Sequence, residues 1–134
     1  MSSDPKPLRG VRVLLVDDDD DTRELFGFAL EEAGAEVRTA GDAKEAMGTA
    51  LEWPPTVVVS DLTMPNTDGF SLLREVRAIP RLQKIPAIAV SGLTSEKDRA
   101  AAHAAGYQEL AAKPLSPDDL IAVVARWALQ TQGA

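Results

Sequence analysis

Five short apolar runs alternate with five helix-patterned segments, and no other feature of this chain restricts its fold so tightly. Val11–Val16 is β-branched and bounded by acids, which predicts a first strand. A helix is expected from Asp21 to about Ala33. Asp21 and Glu24 have capping-box spacing, and Leu25, Phe26, Ala29, Leu30 and Ala33 form its apolar face. Gly34 stops it. Glu36–Thr39 reads as a second strand. Asp42 with Glu45 caps a second helix that ends before Trp53, Pro54 and Pro55. Thr56–Ser60 is apolar without alternation, as expected of a strand covered on both faces. Asp68 is the expected cap of a third helix, Phe70–Arg77. Pro86–Ser91 supplies a fourth strand. Ser95 with Asp98 caps an alanine-rich fourth helix closed by Gly106, and Tyr107–Ala112 supplies a fifth strand. The last helix has Ser116 as N-cap, Pro117 in its first position and Asp119 in its third.

Strict alternation of this kind implies a doubly wound α/β architecture: a five-stranded parallel sheet with helices on both faces. A common order for such sheets is 2-1-3-4-5, adopted here from the architecture and not from the residues. The 134 residues suit one domain. Residues 1–10 are polar and Pro-containing and read as a tail. Residues 11–130 form the domain, and 131–134 a second tail.

Composition removes several function classes. The formal net charge of −7, with a pI near 4.6, repels nucleic acid and anionic membranes, so direct DNA binding is not expected. The absence of cysteine excludes disulfides, Cys-zinc sites and thiol catalysis. No apolar run approaches the roughly 20 residues of a membrane span, and the N-terminus lacks an apolar signal core. A cytoplasmic protein is expected.

In open α/β sheets the site lies beyond the carboxyl ends of the strands, near the switch in strand order. Those ends are chemically uneven here. Strand 1 ends in Asp17 and Asp18, strand 3 in Asp61, strand 4 in Ser91 and strand 5 at Lys113. If strands 1 and 3 are neighbours, three carboxylates converge, and a hard divalent cation such as Mg²⁺ relieves their repulsion. A hydroxyl and an ammonium opposite them suit the oxygens of a phosphoryl group. Together they make a phosphoryl-transfer site.

Four segments carry a resemblance: VLLVDD (Val13–Asp18), VVVSDLTMPNTDGF (Val57–Phe70), AIAVSG (Ala87–Gly92) and AAKPLSP (Ala111–Pro117). In this order they resemble the receiver domains of bacterial two-component response regulators, over about Val11 to Leu129. The resemblance implies a flavodoxin-like receiver fold with Asp61 as phosphoacceptor. Asp17 and Asp18 match its acidic pair, with Asp18 the direct Mg²⁺ ligand. Asp61 and the backbone carbonyl of Thr63 complete the metal's protein ligands. Ser91 matches the hydroxyl that follows the phosphoryl group, and Lys113 the phosphate-binding lysine. The resemblance also implies a cis Lys113–Pro114 bond. It implies a histidine kinase or histidine phosphotransfer domain as donor and an output protein it does not identify. Such a chain is a switch that assists its own phosphorylation and dephosphorylation, not a turnover enzyme. The wording EEAGAEVRTAGDAKEAM, then IPAIAVSG, looks more like receivers of hybrid histidine kinases than like the chemotaxis protein. The chain ends soon after the fifth helix, so a stand-alone receiver or a module of a larger kinase is expected. One position departs from the pattern. Leu110 stands three residues before Lys113, where the family often has an aromatic, and Tyr107 lies one turn too early.

Plainer readings account for several other residues. Asp19, Asp20 and Asp21 suit a helix N-terminus. A calcium loop is excluded by Thr22 where glycine is needed and Phe28 where the bidentate glutamate belongs. His103 is expected to be solvated, and Trp53 and Trp127 to pack at helix ends. Phe28 falls off the apolar face and is either a surface aromatic or part of a docking patch with Leu25 and Leu115. Two other functions are compatible with parts of the sequence. Asp18-x-Asp20-x-Thr22 fits the opening motif of haloacid-dehalogenase phosphohydrolases, with Asp18 as nucleophile and Asp20 as general acid. A receiver-like interaction module blind to phosphate is the other.

Overall fold

The computed structural model describes residues 6–64 and 67–132, with side chains except at 64, 67, 68 and 130–132. Five strands, β1 (Arg12–Val16), β2 (Glu36–Ala40), β3 (Val57–Asp61), β4 (Ala87–Ser91) and β5 (Glu109–Ala112), form one sheet. Their order is β2-β1-β3-β4-β5 and every pairing is parallel, as expected from the alternation. Five helices join them: α1 (Asp20–Glu32), α2 (Ala43–Glu52), α3 (Gly69–Arg77), α4 (Glu96–Ala105) and α5 (Pro117–Gln132).

Successive strand residues point to opposite faces, and both faces here are apolar, so the core splits into two layers. Val13, Leu15, Val57, Val59, Ile88 and Val90 pack with Phe26 and Leu30 of α1 and Leu120 and Val124 of α5. Leu14, Val16, Val58, Ala87 and Ala89 pack with α2, α3 and α4 through Ala46, Leu72, Leu73, Val76 and Ala102. Ala87 and Ala89 are the β4 residues of this second layer.

Several boundaries move. The cap of α1 is Asp19, whose carboxylate accepts from the Thr22 N–H at 3.0 Å and from the Thr22 hydroxyl. Asp21, the expected cap, lies inside the first turn. Adjacent aspartates are equivalent as caps by residue type, so only geometry chooses among them. Leu25, expected on the apolar face, is 55% exposed. The helix turns Gly27 toward β2, where an added Cβ would lie 3.9 Å from Thr39 Cγ2, and this leaves positions 25 and 28 outside. Gly69 begins α3 one residue early, and the expected cap, the Asp68 side chain, lies outside the described side chains. Tyr107 and Gln108 belong to the turn after α4 and not to β5. The expected tail is also shorter: Leu8 is fully buried and donates its N–H to Ala33 O at 2.8 Å.

The remaining signals hold. Asp42 Oδ1 accepts from Glu45 N–H at 2.8 Å, and Ser116 Oγ from Asp119 N–H at 3.0 Å. Ser95 and Asp98 form a reciprocal capping box, and Gly106 ends α4 at φ +117°. Trp53 closes α2, with the Arg12 and Arg38 guanidinium carbons 5.8 and 5.0 Å from its ring centroid.

Candidate functional site

The crossover from β2 to β3 passes over β1, so β1 and β3 are paired side by side up to Val16 and Ser60. The residues that follow each strand therefore leave the sheet together. Asp17 and Asp18 follow β1, and Asp61 ends β3. Each brings a carboxylate oxygen within 4.8 Å of the other two. Asp17 and Asp61 are buried and Asp18 is exposed. Burial pushes the Asp17 carboxyl above the usual aspartate range, and the charges of Asp61 and Asp18 add to this. The Asp19 N–H, donating to Asp17 Oδ1 at 2.9 Å, and Lys113 oppose the rise. The donors are all hard oxygens, and the cluster carries excess negative charge in a part-buried site. That set fits a hard divalent cation with few protein ligands.

Asp61 is held from both sides. Thr63 N–H donates to Oδ1 at 2.9 Å, and Lys113 Nζ donates to Oδ2 at 2.9 Å. Burial alone would lower the Lys113 pKa. The hydrogen bond to Asp61 and the charges of Asp61, Asp17 and Asp18 outweigh it, and the ammonium is held above its ordinary range. Lys113 follows β5 directly and precedes a cis bond to Pro114, as the resemblance implies. Ser91 ends β4, is 1% exposed and accepts from Leu93 N–H at 2.9 Å through Oγ. A hydroxyl used as an acceptor still has a proton to donate. The structure thus brings Asp17, Asp18, Asp61 and Lys113 together, with Ser91 on the adjoining strand end and Thr63 on the Asp61 carboxylate.

Other residues separate from this group. The Asp20 carboxylate pairs with Arg23, whose Nη1 also donates to Asp17 O at 2.5 Å. Asp20 is thereby engaged outside the cluster, an arrangement that gives no support to its role as general acid in a haloacid-dehalogenase reading. Sequence reasoning missed Arg23. Its spacing from Asp20 was visible, but its reach back to the Asp17 carbonyl depends on how the first turn of α1 folds over β1. His103 is exposed, as expected. Leu25 and Phe28 are both exposed, and Phe28 and Leu115 line different clefts. Phe28 lines a cleft between α1 and β2 with Glu24, Gly27 and Val37. Leu115 lines a separate cleft of about 470 Å³ with Thr22, Phe26, Val90, Lys113 and Pro114. No helix among the described residues is long and apolar enough to cross a membrane.

Comparison with known proteins agrees with this geometry. The family profile described as "Response regulator receiver domain" matches residues 13–125. A 14.6 kDa protein in the sodA1 3'region of Leptolyngbya boryana is 43% identical over 117 residues, covering 87% of this chain and 89% of its own. Response regulator Rre1 of Synechocystis sp. is 33% identical over 115 residues, covering 85% of this chain and 50% of its own. The chain thus spans about half the length of Rre1, and likewise of the transcriptional regulatory protein GltR of Pseudomonas aeruginosa, of which it covers 47%. The expectation that nucleic acid plays no part draws no support from such relatives. Among solved structures, the chemotaxis response regulator CheY4 of Vibrio cholerae superposes with a TM-score of 0.83 at 31% identity, covering 87% of this chain and 97% of that one. The chain belongs to the response regulator receiver domain family, the phosphoacceptor modules of two-component signalling.

Proposed function

We propose that this protein accepts a phosphoryl group on Asp61 from a phosphohistidine donor, in a Mg²⁺-dependent step, and signals through protein contacts. The observation that carries the reading is the placement of Asp61 between Thr63 N–H and Lys113 Nζ, beside Asp17 and Asp18. In the transfer, an Asp61 carboxylate oxygen forms the new O–P bond as the P–N bond of the donor breaks. The electron pair of that bond stays on the imidazole nitrogen. Lys113 then leaves the carboxylate for a phosphoryl oxygen, a charge-assisted pairing. The Ser91 hydroxyl donates to another oxygen.

Mg²⁺ would be held directly by Asp18, Asp61 and the Thr63 carbonyl, with Asp17 acting mostly through water. When bound, it neutralises charge on the transferring oxygens. The chain itself fixes the nucleophile's rotamer through Thr63 and neutralises it through Lys113. The donor would be a histidine kinase or histidine phosphotransfer domain in the cytoplasm, with no nucleic acid or membrane contact required of these residues. Self-assisted phosphorylation and dephosphorylation fit a switch and not a turnover enzyme.

A beryllofluoride titration followed by amide NMR tests the reading, since this ion mimics the phosphoryl group. Amides of Asp61, Thr63, Ser91 and Lys113 are expected to shift only when Mg²⁺ is present, and not in Asp61→Asn. Silence at Ser91 and Lys113 would point instead to an interaction module blind to phosphate.

A further inference from the structure

Tyr107 sits in the turn that closes α4, directly after Gly106, and its N–H donates to Ala102 O at 3.1 Å. It is nevertheless 2% exposed and packs in the same apolar layer as Leu72, Leu73 and Leu110. A phenol buried this deeply needs a partner for its hydroxyl. That partner is Gly69 O, at 2.7 Å. Gly69 is the first residue of α3 and the end of the loop that leaves Asp61. It returns so closely that an added Cβ would lie 2.5 Å from Asp61 O, 3.0 Å from Leu62 Cα and 3.0 Å from the Tyr107 hydroxyl oxygen. Its N–H donates to Leu62 O at 3.1 Å. Gly69 therefore touches the Asp61 backbone on one side and the Tyr107 hydroxyl on the other.

We infer that Tyr107 is a positioning residue of the phosphoacceptor site, its hydroxyl fixing the start of α3 and through Gly69 the backbone of Asp61 and Thr63. The inference rests on the Asp61 reading above. The backbone it fixes carries both the Asp61 carboxylate and the expected Thr63 carbonyl ligand, so a misplaced loop weakens metal binding before it weakens the fold. The aromatic that the family often places at position 110 is absent. In this chain a tyrosine three residues earlier reaches the acceptor loop from the same layer, held in place by its own hydrogen bond.

Tyr107→Phe removes the hydroxyl and keeps the ring. Losing one neutral hydrogen bond corresponds to about a three- to tenfold change in an equilibrium constant. The Mg²⁺ Kd of the full chain should rise by about that factor, and labelling by acetyl phosphate should slow at limiting Mg²⁺ and recover at saturating Mg²⁺. Val124→Ala, in the opposite core layer, should lower the melting temperature and leave both quantities unchanged. Tyr107 is the chain's single tyrosine, so its ring signals can be followed in the wild type whatever the variant does. They should shift on addition of Mg²⁺ with beryllofluoride. A Tyr107→Phe chain with a lowered melting temperature but wild-type Mg²⁺ affinity and labelling would overturn the inference alone, as would unmoved tyrosine signals. A wild-type chain that is never labelled would overturn it together with the Asp61 reading.

Discussion

Asp18 and Asp20 are two residues apart and meet different surroundings. Asp18 points its carboxylate toward Asp17 and Asp61, while Asp20 pairs with Arg23 on the first turn of α1. Asp18→Ala should therefore weaken Mg²⁺ binding by more than about tenfold, because removing even an outer partner of a metal ligand costs ~10–100-fold. Asp20→Ala should leave it near the wild-type value. Isothermal titration separates the two, and the reverse pattern would reassign the acidic run. Asp17 contributes a pH dependence of its own. Its carboxyl titrates above the usual aspartate range because of burial, so the metal-free folded chain binds this proton more tightly than the unfolded chain. The resulting cost to stability is present above the raised pKa and relieved as pH falls toward 3.8, the ordinary value. Asp17→Asn should raise the melting temperature in EDTA at neutral pH, and the gain should shrink as pH falls. Because protons compete with the metal, Mg²⁺ affinity in the wild type should begin to fall at a higher pH than an ordinary aspartate would produce. Asp17, Asp18, Asp61, Ser91 and Lys113 were all legible as residues at or just after strand ends. The hold of Arg23 on Asp17 O and of Tyr107 on Gly69 O was not, since both join residues whose proximity depends on loop paths.

Helices announced their starts where a second signal accompanied the capping side chain. Ser95 has Asp98 three residues on, Ser116 has Pro117 directly after it, and both cap as expected. The five consecutive aspartates Asp17–Asp21, which run into the first turn of α1, offered no such choice, and the cap fell on Asp19, two residues early. The apolar face of α1 was also misjudged at Leu25. A periodicity count weights every leucine equally, whereas Gly27 allows close approach to β2 and rotates the buried arc away from it. These shifts decide where a donor can dock. The cleft shared by Phe26, Val90, Pro114 and Leu115 also contains Lys113, so a partner seated there reaches the acceptor site. Phe28 faces the α1–β2 side instead. Leu115→Ala should slow transfer from a phosphorylated histidine donor by several-fold, in keeping with ~1 kcal/mol or more for a buried apolar contact at an interface. Labelling by acetyl phosphate should persist, and Phe28→Ala should affect transfer less. Equal loss of both reactions in Leu115→Ala would assign that residue to the fold.

The molecule joins its acceptor site to its surface through one sheet, and its topology was legible because strict strand–helix alternation leaves few arrangements open. The strand order itself came from the architecture, not from any residue. What phosphorylation changes across the whole chain depends on how many groups differ between the two states. Ser91 is buried at the end of β4, and Leu110, also buried, has no hydroxyl to rebury. Beyond the acceptor residues themselves and the Tyr107–Gly69 contact, the response to beryllofluoride should therefore stay within the loop from Ser91 to Ser95 and the start of α4. Hydrogen exchange should show little change along β5 and α5, and a large change there would contradict a muted switch. The most direct measurement is the intact mass of the chain after incubation with acetyl phosphate and Mg²⁺. Asp61 is the carboxylate held by both Thr63 and Lys113, so the wild type should gain one phosphoryl group, about 80 Da, through an acyl phosphate. Asp61→Asn should gain none. An undiminished mass shift in Asp61→Asn would place the phosphoryl group elsewhere and contradict the account.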